Sequence, residues 1–160
     1  MDTLPLVEVA RAWEISIDLV PFNGRFFGAY QPVSRHISLS TFNRRTWAHE
    51  LVHAADDRRG FLPLGEKKTA ETLAEAEIVA ELGAAVLLEA AGESEHVDLG
   101  AASRYLQHYA GEPSRCVAAC RRLLQRTCGA VGLILDTADQ LRALGPMPSA
   151  AIVEALEVTP

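Results

Sequence analysis

Aromatic residues make up only 6% of the 160-residue chain, and cysteine occurs three times, at Cys116, Cys120 and Cys128, with no CxxC spacing. An odd, unpaired set of this kind does not form a disulfide framework and suits reduced thiols in a cytoplasm. Long hydrophobic runs are missing as well. The longest apolar stretch, Leu82 to Ala91, is interrupted by Glu89 and falls well short of the ~20 residues that a bilayer crossing requires. Met1 to Arg11 carries Asp2 and Glu8 with no basic run ahead of an apolar segment, so it does not read as a signal peptide. Positive charge is in deficit: 15 basic residues against 21 acidic ones leave a net charge of -6. No general field therefore draws in phosphate backbones or anionic lipid. The expectation is a cytoplasmic protein with no membrane partner and no direct nucleic-acid binding.

What the chain does have is apolar surface to bury, 49% hydrophobic against 22% charged residues. At this length a single core suffices, since such a chain buries roughly two-thirds of its unfolded surface. We expect one domain over residues 1–145 and a tail over 146–160, where Pro146 and Pro148 lie. Apolar residues at Leu6, Val7, Val9, Ala10 and Trp13 predict a short helix. A strand over 15–20 should follow, closed by Pro21 and Asn23-Gly24, then a hairpin from 26–31 and 36–40 around Pro32 to Arg35. Past Asn43 the pattern turns helical. A helix capped by Asn43 or Thr41 runs to about Arg59, a long one spans 69–91, and a third covers 98–110. Glu112-Pro113 opens a fourth, and a fifth spans about 130–144. The class is α+β, a small sheet followed by a bundle of about five helices.

Chemistry enters at His49-Glu50-Leu51-Val52-His53, an HExxH sequence inside the predicted second helix. Residues i and i+4 stack on one helix face, so both imidazoles can address one metal ion while Glu50 projects toward water beside it. From composition such a pentapeptide arises by chance in roughly one chain in a hundred; the bland alternative is a surface helix with solvated histidines. On the helical wheel Trp47, Ala48, Leu51, Val52 and Ala55 form the apolar stripe, with His49, His53 and Asp56 on the other side.

The long helix weighs against the bland alternative. Glu77 and Glu81 are embedded among Ile78, Val79, Ala80, Leu82, Ala84, Ala85, Val86, Leu87 and Leu88, and an ionised carboxylate in so apolar a helix needs a cation or hydrogen-bond donors. Two His and one Glu make a frequent ligand set for hydrolytic zinc, with a fourth position left for water. Glu77 is assigned as the third ligand of Zn2+, and Glu81, one turn later, as acceptor for the other ring N–H of a ligating imidazole. At this point the two roles are exchangeable. Gly83, Ala80 and Ala84 should let this helix approach the histidine helix closely, whereas Glu71 and Glu75 point away and read as solvated.

Together, Trp47-Ala48-His49-Glu50-Leu51-Val52-His53-Ala54 and Glu77-Ile78-Val79-Ala80-Glu81-Leu82-Gly83-Ala84-Ala85 resemble the gluzincin-type metallopeptidase domain of the ImmA/IrrE and ArdC-like antirestriction families. Phe27-Gly28-Ala29-Tyr30 and His36-Ile37-Ser38-Leu39 resemble the strands those families place ahead of the HExxH helix. The resemblance covers residues 5–138, through Tyr105-Leu106, and is strongest over 45–88. It implies a zincin-like fold, metal ligands His49, His53 and Glu77, and Glu50 as general base. It also implies a protein or peptide substrate, since members of the first family cleave helix-turn-helix repressors. The ArdC type carries a separate N-terminal domain that binds single-stranded DNA; this sequence begins almost at the peptidase-like region, so that half is not expected.

The expected activity is that of a zinc-dependent hydrolase, a metalloprotease acting on one specific intracellular protein. In this reading zinc lowers the pKa of water toward ~7 while Glu50 carries its proton to the leaving amine. An extended substrate could align on the edge of 36–40, and Tyr105, His108 and Tyr109 are candidate oxyanion donors. His36 is expected to face solvent, and His96 sits in a polar loop. Cys116 and Cys120 read as small buried thiols. Arg115, Arg121, Arg122 and Arg126 form a basic strip, the one local argument for nucleic acid. The alternative function is a non-proteolytic zincin-fold binding module acting in antirestriction or mobile-element regulation, against which the intact Glu50 argues. DNA mimicry fits the negative charge, but the carboxylates are spread rather than clustered.

Overall fold

The apolar spacing ahead of Trp13 becomes helix α1 (Val7–Ala12), with Val9 and Ala10 fully buried. A computed structural model of the chain describes residues 4–22, 24, 27–97, 107–108 and 112–145, with backbone alone at 113 and 116. Strands β1 (Ser16–Leu19), β2 (Gly28–Gln31) and β3 (His36–Leu39) form a sheet in the order β1-β3-β2, with β3 parallel to β1 and antiparallel to β2. The expected hairpin is β2–β3, its turn closed by the Arg35 N–H donating to the Pro32 carbonyl at 3.3 Å.

The strand order corrects one expectation. Residues 36–40 do not offer an edge to a substrate, because β3 pairs on both sides and its backbone groups are used within the sheet. Burial marks the placement: Ile37 and Leu39 are fully enclosed, whereas β1 leaves Leu19 half exposed, and the central strand is the most buried one. His36 is likewise not solvent-facing. Its Nδ1 lies 2.7 Å from Ser16 Oγ, the residue opposite it on β1, and its Nε2 lies 3.6 Å from Asp18 Oδ2.

Helix α2 (Arg44–Arg58) starts where Asn43 accepts from the backbone N–H groups of Arg45 (2.8 Å) and Thr46 (3.3 Å). Asn43 is thus the cap, and Thr41 is not. The apolar stripe faces the core as expected, with Trp47, Leu51, Val52 and Ala55 fully buried. The Trp47 indole N–H donates to the Pro5 carbonyl at 2.7 Å, fastening α2 to the N-terminal segment. Helix α3 (Ala70–Ala90) opens with a capping box between Thr69 and Thr72 and packs between α2 and the last helix. It is not buried all round, since Leu73 and Val86 reach solvent. Gly83 sits where a Cβ would lie 2.7 Å from Val52 Cγ1, so the close approach of α2 and α3 depends on that glycine.

The fourth and fifth predicted helices are one helix, α4 (Pro113–Leu144), of 32 residues. Glycine near position 130 signals a break only if it terminates a helix; Gly129 instead opens space for a side chain. A Cβ there would meet the Arg59 guanidinium at 2.2 Å, and Arg59 Nη1 donates to the Arg126 carbonyl at 2.9 Å. The described residues therefore hold four α-helices and two 3-10 turns, Gly65–Lys67 and Ser94–His96. Of the helix expected over 98–110 only Gln107 and His108 are described, both helical and exposed. The tail over 146–160 lies outside the described residues.

Two arginines of the basic strip on α4 make ion pairs within the fold. Arg122 pairs with Glu75 at 2.7 Å, and Arg126 holds the fully buried Asp56 through Nε at 2.9 and 3.1 Å to its two oxygens. Only Arg126 is largely buried by its contacts, while Arg115, Arg121 and Arg122 are exposed. Glu75 is a bridge to α4 rather than a solvated side chain, because its face of α3 is the one that α4 covers; Glu71 is exposed as expected. Cys120 is half-buried against the core and Cys128 is exposed. No helix among the described residues is long and apolar enough to cross a membrane.

Candidate metal centre

Helical spacing stacks His49 over His53 on one face of α2, their rings 4.8 Å apart and nearly perpendicular. Across from them α3 brings the Glu77 carboxylate between the two imidazoles. Glu77 Oε2 lies 3.3 Å from His49 Nε2 and Glu77 Oε1 3.5 Å from His53 Nε2. One ligand atom from each of the three residues falls within 4.8 Å of the others. Two ligands about 2.05 Å from a tetrahedral ion are separated by roughly 3.3 Å, and the two His–Glu spacings, each to a different Glu77 oxygen, are of that order. The donor set, two imidazole nitrogens and one carboxylate, fits the same ion.

Glu81 is 3% exposed and turned to the other side of His49, with Oε2 3.3 Å from His49 Nδ1. The structure thus distinguishes the two glutamates that spacing alone left interchangeable: Glu77 faces Nε2 of both rings, Glu81 faces Nδ1 of one. Its second oxygen forms an ion pair with Arg45, in the first turn of α2. By contrast His53 Nδ1 is buried with no hydrogen-bond partner.

These contacts set the protonation of the metal-free cluster. Burial disfavours a charged His49, but hydrogen bonds to Glu77 and Glu81 and the Glu50 charge outweigh it and raise its pKa from 6.5 to about 10. Burial likewise works against ionised Glu77 and Glu81. Hydrogen bonds from His49 and His53 hold Glu77 well below the usual carboxylate range, and those from His49 and Arg45 lower Glu81. Without an ion, a proton on His49 offsets part of the carboxylate charge.

Glu50 is 6% exposed and projects from the same helix toward β2, where its Oε2 accepts the Tyr30 backbone N–H at 2.8 Å. The Tyr30 hydroxyl donates to Asp57 Oδ2 at 2.9 Å, and burial followed by that contact raises the phenol's pKa. This close descent of β2 onto α2 requires Gly28, since a Cβ there would lie 2.6 Å from Thr46 Cγ2 and 2.9 Å from Glu50 Oε1. Sequence reading missed both contacts. A glycine inside a strand marks close backbone approach, so Gly28 was a usable signal, whereas the Tyr30 N–H carries none.

His49, Glu50, His53 and Glu77 line a cleft of about 320 Å³ whose further walls are Gly28, Ala29 and Tyr30 of β2 and the apolar Leu62, Pro63, Leu64, Leu73 and Ala76. A second hollow of about 440 Å³ opens beyond Gly28 and Glu50, lined by Phe27, Thr41, Arg45 and Glu81 among others. Of the candidate oxyanion donors, Tyr105 and Tyr109 lie outside the described residues and His108 is exposed. Another grouping, Glu93, Glu95 and His96, lies beside Arg44, which pairs with Glu93 and lies 3.0 Å from His96 Nε2. A guanidinium already stands there in a cation's place.

Comparison of the chain with protein-family models, with curated proteins and with solved structures finds no match. The functional reading therefore rests on the site itself and on the motif resemblance.

Proposed function

We propose that the protein is a zinc metallopeptidase of the gluzincin type, akin to the ImmA/IrrE and ArdC-like families. It hydrolyses a peptide bond in a specific intracellular protein such as a helix-turn-helix repressor. The observation that carries this reading is the convergence of His49, His53 and Glu77 at zinc-ligand spacing, with the carboxylate of Glu50 at the same cleft. His49, His53 and Glu77 would hold the ion, with the His49 ring oriented by Glu81.

Bound zinc supplies a Lewis acid for the scissile carbonyl and makes water a nucleophile near neutral pH. Glu50 takes the proton of the attacking water and delivers it to the departing amine nitrogen. Its backbone bond from Tyr30 holds one carboxylate oxygen in place, which limits the positions the other can take in the cleft. Leu62, Pro63, Leu64 and Leu73 give one side of the cleft an apolar wall.

Purified protein and a Glu50→Gln variant test the proposal together. Both should contain about one zinc per chain, while only the parent should generate new N-termini when expressed in cells whose proteome is compared with that of cells carrying the variant. The variant should lose at least about 100-fold in rate on any substrate so found. Equal cleavage by both removes Glu50 from the mechanism. Zinc in both with no cleavage by either favours the binding-module alternative. No zinc in the parent overturns the site.

A further inference from the structure

Helix N-termini favour acidic side chains, because unpaired backbone N–H groups leave that end positive. The first turn of α2 runs the other way: it has Arg44 and Arg45 and no acidic residue. A local rule broken without evident local gain points to a role elsewhere. Arg45 reaches α3 and pairs with one oxygen of Glu81, a side chain 3% exposed, while the other oxygen of that carboxylate lies 3.3 Å from His49 Nδ1. His53 has no comparable support, since its Nδ1 is buried without a partner.

We infer that Arg45 is a positioning residue of the metal centre, acting through Glu81. The inference rests on the metal-site reading above. By holding one oxygen, Arg45 fixes the plane of the Glu81 carboxylate so that the other accepts the His49 Nδ1–H. That assigns the ring proton to Nδ1 and leaves the Nε2 lone pair for the ion. Arg45 itself does not touch the ion. Arginine suits the task because its guanidinium is rigid and planar, whereas a lysine ammonium would neutralise Glu81 without fixing its orientation. His49 is on this account the anchored ligand and His53 the adaptable one.

The test is zinc affinity by chelator competition, with the visible spectrum of the cobalt-substituted protein as a report on ligand geometry. Arg45→Met should weaken zinc binding about tenfold or more and alter the cobalt spectrum, and Arg45→Lys should recover part of the loss. In a Glu81→Gln background, Arg45→Met should change affinity less than about twofold, since the chain is already cut. If Arg45→Met does not fold, the Arg45→Lys and Glu81→Gln cycle carries the same comparison. Arg45→Met affinity and spectrum equal to wild type, or an undiminished loss in the Glu81→Gln background, overturns the inference while leaving the zinc site intact. A wild-type protein that binds neither zinc nor cobalt overturns both.

Discussion

Replacing Gly83 with alanine should weaken the proposed metal centre in a protein that still folds. The added Cβ would lie 2.7 and 3.0 Å from the two Cγ atoms of Val52, where carbon–carbon contacts are optimal at about 3.5–4.0 Å. Val52 is fully buried and β-branched, so its side chain cannot easily rotate away. Relief requires α2 and α3 to separate by close to 1 Å. Overpacking of this kind costs about 1–3 kcal/mol, and the better helix propensity of alanine returns about 1 kcal/mol. The net loss is therefore about 0–2 kcal/mol, or a fall in melting temperature of at most about 8 °C. Ligand distances tolerate only about 0.2 Å, however, and the two imidazoles sit on one of these helices with Glu77 on the other. Zinc affinity should drop at least tenfold, equivalent to about 1.4 kcal/mol. Val52→Ala removes the clashing methyls at roughly 1.6 kcal/mol in lost burial, at ~0.8 kcal/mol per group. The double variant should regain zinc affinity relative to Gly83→Ala. Chelator competition and metal-free thermal melts on the four proteins decide the matter. Wild-type zinc affinity in Gly83→Ala would refute the argument that this helix contact sets the ligand spacing.

Two further perturbations read other parts of the site. Because binding requires a neutral His49 whose metal-free pKa is raised to about 10, zinc binding should release close to one proton, and affinity should rise about tenfold per pH unit between pH 7 and 9. Calorimetry in buffers of different ionisation enthalpy measures this, and a flat profile would count against the protonated cluster. The same shifts set metal-free stability: the His49 contribution is complete below its ordinary value of 6.5 and is lost as pH climbs through 10, whereas that of Glu77, whose pKa is lowered, is present above 4.5 and fades in acid. Metal-free melts should therefore peak between about pH 4.5 and 6.5 as far as this cluster decides them. Away from the metal, Asp56→Ala strands Arg126, which keeps the Phe61 carbonyl at 3.0 Å, Glu75 at 4.0 Å and the Phe61 ring at 5.8 Å. Removing one partner of a buried pair costs about 3–5 kcal/mol; urea unfolding should report the lower end, and a loss under about 1 kcal/mol would contradict the burial of this pair.

How far the site could be read from sequence follows from the range over which each residue acts. His49 and His53 were legible because their partnership is one turn of a single helix, and the pairing of Glu77 with Glu81 is the same geometry repeated. Gly83 was legible because a small residue on a long apolar helix has few purposes other than close packing. The unread contacts are those whose second party lies on another element. Arg45 drew no reading and Arg126 was read only as part of a basic strip, because an arginine looks the same whether it meets water or a buried carboxylate. The Tyr30 N–H that holds Glu50 is a backbone group and leaves no trace in residue type. Strand order escaped for a related reason: periodicity finds that 36–39 is a strand, but its central place is set by which neighbours leave Ile37 and Leu39 fully covered. Gly129 shows the ambiguity of punctuation, since the same residue ends a helix or, as against Arg59, admits a side chain to its flank. At the proposed centre the ligands would come from local repeats and their orientation from distant contacts. Substitutions at His49, His53 or Glu77 should therefore abolish metal binding, and those at Arg45 should grade it.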